Sequence, residues 1–346
     1  MRNKRGFTLI ELLVVVAIIA LLISILLPSI ESARAQARAV VCSTKLHDIH
    51  NAQNNYAVQF SDWIPGAPGT TAGHLLYDDY DDYAFDIPGV PVQNWDWQSP
   101  LAHYGLGIES GLEDRNERWQ WVREQPLFTC PSNNFVVPPF PIAQLSNGWA
   151  VLQMNSYSTI REFMYYGSTT ADDPERVHIP ASWEVKTPEG HVPRFTNVQK
   201  PSQKGLVVEG TRFLREDLPA PDYDVSYNAS VGGSFATAGP SSSYSRAFIN
   251  PVDLQQNEHD AKWDRYSFRH PVAGAPGFNV LFFDGHASRQ TKIKAIEGVD
   301  FWLPTGTKVG VSEYDGTGPF DPVPKPRALR IILQRTPDDE GFYPIY

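Results

Sequence analysis

The chain predicts an α+β protein, with one long N-terminal α-helix packed on a head built of an antiparallel β-sheet and long loops. An apolar run from Phe7 to Leu27 leads without a break into a charged segment that keeps helical periodicity to about residue 60. Beyond it, short β-branched and aromatic runs alternate with turn-rich stretches, and no regular strand-helix alternation appears. The 29 Pro and 25 Gly of the 346 residues add many turns and long loops.

The apolar run of 21 residues rises about 31 Å as a helix, close to the ~30 Å hydrocarbon core of a bilayer. Only Glu11, Thr8 and Ser24 interrupt it. A carboxylate in hydrocarbon costs a few kcal/mol or more without a partner, so Glu11 calls for a cation. The preceding Met1-Arg-Asn-Lys-Arg5 is short and basic. The positive-inside rule then keeps the N-terminus cytoplasmic and sends everything after Leu27 outward, as a single-pass inner-membrane anchor with an extracytoplasmic head. A secretory signal peptide has a shorter apolar core and a small-residue cleavage site, whereas here PSIESARAQARAV follows and still reads as helix.

After Pro28, which removes one ladder hydrogen bond and is expected to kink the rod, the helix continues as an amphipathic stem. Ile30, Ala33, Ala37, Val40, Val41, Leu46, Ile49, Ala52 and Tyr56 are its expected buried face. It should end near Phe60, before SDWIPGAPGTTAG. The resulting division is a leader at 1–6, a transmembrane helix at 7–27, a stem at 28–60 and a β-rich head at 61–346. In the head, residues 126–130, 156–166, 205–213, 279–287 and 328–335 are the candidate strands, and 116–124 is a short helix.

The net charge of −10 and the absence of a basic patch interleaved with aromatics give no support to nucleic-acid binding by the head. Two cysteines, Cys42 and Cys130, lie outside the membrane on this topology. In an oxidising compartment an even pair reads as a disulfide, and closing a loop of roughly 90 residues is worth on the order of 4 kcal/mol. Two buried free thiols are the alternative. Two cysteines without C-x-x-C spacing do not make a zinc site on sequence grounds.

KRG followed by FTLIELLVVVAIIALLISILLP resembles the prepilin leader of type IV pilins and type II secretion pseudopilins. The resemblance implies that a prepilin peptidase cuts between Gly6 and Phe7 and N-methylates Phe7. It also implies that Glu11 pairs with the Phe7 amine of a neighbouring copy or related pilin, giving a type IV pilus or a secretion-type filament at the cell surface or in the periplasm. An acid that is costly in the monomer thereby becomes a registration device in the assembly. A membrane-tethered binding protein or hydrolase that keeps the anchor without polymerising is the alternative.

A second resemblance covers the head loosely. The segments CSTKLHDIHNAQNNYAVQFSDWIPG, FTCPS, NSYSTI, KPSQKGLVVEG and FRHPVAGAPGFNVLFFDGHAS are similar, in order, to a pilin-like family with an H-x9-DG signature. Here 13 residues rather than nine separate His270 from Asp284-Gly285, so PVAGAPG is expected to form an extended loop. This family brings no catalytic activity to carry over.

FFDGHA reads first as a tight turn, with Gly285 free to take positive φ and Asp284 capping it. A metal site using Asp284, His270 or His286, and Glu209, is the sharper reading, but no metal and no cofactor is assigned. The acidic stretch 77–86, with Asp78, Asp79, Asp81 and Asp82, lacks a calcium-loop pattern and reads as a solvated loop. The tryptophans of NWDWQ and RWQWV read as core, or as a sugar or partner surface. No nucleophile elbow, zinc-protease or phosphate-loop motif is present, and no enzymatic activity is expected.

Overall fold

The structure is a computed structural model and describes residues 8–66, 92–93, 95–108, 111–112, 114–140, 142–164, 184–210, 223–224, 235–237, 267–310, 335–339 and 342–345. Helix α1 spans Leu9–Gln59 in 51 residues, about 77 Å of rod. It starts on a capping box: Thr8 Oγ1 accepts the Glu11 amide, and the Glu11 carboxylate accepts from the Thr8 amide. The helix runs through Pro28, where Ser24 and Ser29 each donate a hydroxyl back to a carbonyl three residues earlier. It ends because Ser61 and Asp62 take positive φ, which no helix continues.

Every residue from Thr8 to Arg34 is exposed, and the most apolar 18-residue window of α1 has none of its surface covered by the rest of the chain. The buried stripe begins only at Ala39 and runs through Cys42, Leu46, Ile49, Gln53 and Tyr56, a 3-4 spacing that places all six on one side of the helix. The expected stem face is therefore corrected in its first half. Val40 and Val41 fall beside the stripe, at 59% and 44% exposure, because the head sits against the distal half of the rod and sets the phase there.

The principal sheet has five strands. They are β1 (Tyr157–Ile160), β2 (Gly205–Glu209), β3 (Ala236–Thr237), β4 (Gly277–Phe282) and β5 (Ala287–Thr291). Their order is β5-β4-β2-β1-β3, antiparallel except for the β1/β3 pair. All residues of β1, β2 and β4 are buried, which is why GLVVE and GFNVLF read as nearly unbroken apolar runs. Helix α1 lies against β4 and β5, and the Asn279 amide on β4 donates across that seam to the Ala39 carbonyl at 3.3 Å. The described residues form three smaller sheets besides, among them 184–186, 308–310 and 343–344 in one antiparallel set.

Helix α2, Arg115–Glu124, forms where RWQWV predicts it, capped by Asp114 accepting from the Glu117 amide. Residues 126–128 form a 3₁₀ turn instead of the expected strand. Pro126 opens that turn, having no amide to give a sheet ladder. The strand expected at 156–166 ends at Ile160 and passes into a second 3₁₀ turn. Residues 211–213 and 328–334, expected as strand, lie outside the described residues. Trp95, Trp97 and Trp119 are fully buried, so those stretches build core, with the Trp97 indole donating to the Phe235 carbonyl at 3.0 Å.

One device beside this core has no signature in the sequence. The buried Asp96 carboxylate accepts from the amides of Val92, Gln98 and Ser99 and from the Ser99 hydroxyl, at 2.6 to 3.0 Å. It closes the tryptophan loop on itself. Asp96→Ala leaves four buried donors without their acceptor and should cost about 3 kcal/mol, read as an earlier chemical-denaturation midpoint with an unchanged slope.

Candidate functional site

Two places on α1 carry the chemistry, one near each end. At the N-terminal end, Glu11 Oε2 accepts from both the amide and the hydroxyl of Thr8 at 2.8 Å. The carboxylate is thus held over the first turn of its own helix, with the exposed apolar surface running on behind it. Gly6 and Phe7 lie outside the described residues, as does the acidic stretch 77–86.

At the other end, the seam between α1 and the sheet encloses Cys42 from α1, Cys130 from the loop after the 3₁₀ turn, Glu209 from the end of β2 and His270 from the turn before β4. All four are buried, and their ligand-type atoms lie within 4.8 Å of one another. His270 Nε2 stands 3.0 Å from Glu209 Oε1 and 3.3 Å from Cys130 Sγ, and Cys130 Sγ is 3.8 Å from Glu209. The two cysteines expected to pair meet here as free thiols.

Around them further donors converge. The Asn279 amide and side chain both donate to Glu209, at 2.8 and 3.0 Å, and the Ser132 amide donates to Cys130 Sγ at 3.4 Å. Contact with Cys130, together with burial, pushes the Cys42 thiol up. Contact with Cys42 draws the Cys130 thiol down, against its burial, with help from His270 and Arg269. Burial would discharge His270, yet its bonds to Cys130 and Glu209 outweigh burial and raise it to about 9. Burial likewise opposes the Glu209 carboxylate, and the His270 bond and charge prevail.

The 13-residue interval explains how His270 arrives there. PVAGAPG does not form an extended loop; Val272 and Ala275 exchange two backbone hydrogen bonds at 2.9 Å around Ala273 and Gly274, both at positive φ. This tight hairpin returns the chain, so that the His270 amide donates to the Gly277 carbonyl at 2.9 Å. Gly277 is needed there, since a Cβ would stand 2.7 Å from the His270 carbonyl oxygen.

The signature turn is a separate place. Asp284 Oδ1 accepts from His286 Nδ1 at 2.6 Å and from the His286 amide at 3.2 Å, near the surface. Asp284 and His286 therefore pair with each other, and His270 pairs with Glu209. Gly285 has φ 89° and lies against His50 of α1, with room for no Cβ: one would stand 2.5 Å from the imidazole. Gly285→Ala should cost about 1–2 kcal/mol in thermal unfolding, and adding His50→Ala should recover the steric share but not the backbone strain.

Comparison with known proteins locates likeness at the N-terminus. Residues 1–27 match the family described as the prokaryotic N-terminal methylation motif. Over 58 residues the chain is 47% identical to the type IV wide pilus major component PilA4 of Thermus thermophilus, a stretch covering 17% of this chain and 44% of that protein. No solved structure matches the chain. Residues 1–27 thus carry the N-terminal methylation motif, and the long apolar helix with its largely antiparallel head gives an α+β architecture.

Proposed function

We propose that the chain is a pilin subunit, cut by a prepilin peptidase between Gly6 and Phe7, N-methylated there, and assembled with further copies or related pilins into a type IV pilus. The observation that carries this reading is the bare apolar half of α1. Leu9 to Leu27 form a continuous surface with side-chain exposures of 45% or more at every large aliphatic residue, directly behind the processing motif. Such a surface is stable only in lipid or against other helices of the same kind. Likeness to a pilus component favours a pilus over a secretion pseudopilus. The head is the extracytoplasmic part, held by residues 7–27 as anchor and 28–60 as stem, and its role is structural.

Glu11 has two duties on this reading. Within the chain it closes the capping box with Thr8. In the filament, its second oxygen and its charge meet the Phe7 amine of a neighbour, a pair strongly favoured in low dielectric.

Glu11→Gln separates the duties, because Gln serves equally in a capping box but carries no charge. The variant should be processed and should fractionate with the membrane as wild type does, yet be missing from sheared filaments. Wild-type filament yield from it would remove the registration role. Gly6→Val should leave uncut precursor in the membrane on immunoblots, and recovery of a chain beginning at methylated Phe7 would overturn the processing site.

A further inference from the structure

We infer that Cys42, Cys130, Glu209 and His270 bind one zinc ion, which clasps the stem helix to the head. Four separate segments, one helical, one in a loop, one in a strand and one in a turn, each send a single metal-ligating atom to the same buried point. No backbone periodicity requires that meeting.

The spacing suits a tetrahedral ion. With Zn–S near 2.3 Å and Zn–N and Zn–O near 2.1 Å, the edges of the tetrahedron are about 3.4 to 3.8 Å. The observed separations are 3.8 Å for Cys130 to Glu209, 3.3 Å for Cys130 to His270 and 3.0 Å for His270 to Glu209. An ion entering the centre opens the Cys130–His270 and His270–Glu209 pairs by about 0.3 and 0.4 Å, and draws in Cys42 Sγ, which lies within 4.8 Å of the other three atoms. Two thiolates, an imidazole and one carboxylate are a zinc donor set: the sulfurs are too soft for calcium or magnesium, and four protein ligands close the site as structural zinc sites are closed.

The surroundings are those of a metal site as well. Glu209 is oriented by both donors of Asn279, Cys130 by the Ser132 amide, and the Tyr157 hydroxyl stands at Cys42. Charge also balances. Two thiolates and a carboxylate bring three negative charges, the ion returns two, and the Arg269 guanidinium, close enough to act on both Cys130 and Glu209, supplies the third. Binding releases the protons held at the site, on the cysteines and on His270 Nε2, whose lone pair the ion takes, and leaves the sulfurs unavailable for a disulfide, so zinc and a Cys42–Cys130 bond exclude each other.

The test uses the full-length chain, extracted in detergent without chelator and analysed for metal by mass spectrometry. One zinc per chain is expected in the wild type, and at least about tenfold less in Cys130→Ser and in Glu209→Gln. Because those variants could also fail to fold, cobalt is exchanged into the wild type under reducing conditions. A thiolate-to-cobalt charge-transfer band with tetrahedral visible bands supports the site. Wild-type protein that carries no zinc and takes up no cobalt in that form overturns the proposal. So does a Cys42–Cys130 disulfide in peptide maps of native protein prepared with zinc present. Neither readout depends on filament assembly, so failure here leaves the pilin reading intact.

Discussion

The described head is referred to one seam, where the stripe from Ala39 to Tyr56 on helix α1 presses on strands β4 and β5 and, towards its end, on residues 101–105. Close approach is written into small residues: a Cβ at Gly105 would stand 2.5 Å from the Ala52 carbonyl, and one at Gly285 would enter His50. Leu46, Ile49 and Tyr56 are completely buried there, each worth about 1.5–3 kcal/mol of apolar burial. Since the other half of the same rod is bare of the head, this seam is the path along which any pull on the rod reaches the head.

The two acids that matter on this rod or against it face the same physical problem at opposite ends. Glu11 sits in an exposed apolar stretch long enough to cross a membrane, and Glu209 sits in a protein core where it has no exposure. A carboxylate in hydrocarbon or in a protein core is costly unless paired and hydrogen-bonded. Glu11 is partly satisfied by Thr8 within its own turn and is otherwise exposed. Glu209 is fully enclosed by Asn279 and His270, and its neighbours are two sulfurs. One acid lies on an open apolar surface, and the other in a closed polar cluster.

That cluster draws on the segments by which the sequence alone was read as resembling an H-x9-DG family. Four of the segments that carry the likeness, those holding Cys42, Cys130, Glu209 and His270, each contribute one of its side chains. The longer interval after His270 is absorbed by a hairpin that closes on itself, so the histidine stays beside the core strand while Asp284 and Gly285 keep their turn against α1. An insertion is tolerated there because it adds a self-contained turn at the surface and no new buried group.

What the sequence by itself determined is whatever depends on short-range pattern. The apolar run and its basic flank, strands within 156–166, 205–213 and 279–287 and the short helix at 116–124 all follow from local period and end signals, whereas the capping box of Thr8 and Glu11 emerged only with the structure. The tertiary structure alone decided the rest. The phase of the buried stripe on α1 depended on which side the head chose, since Val40 and Ala39 are equally apolar and only packing separates them. PLFTC turned as a 3₁₀ segment because a neighbouring proline outweighed its β propensity. The meeting of Cys42, Cys130, Glu209 and His270 could not be read from spacing, because ligands drawn singly from distant segments leave no interval to recognise. They become neighbours only when β2, β4 and the helix are laid side by side.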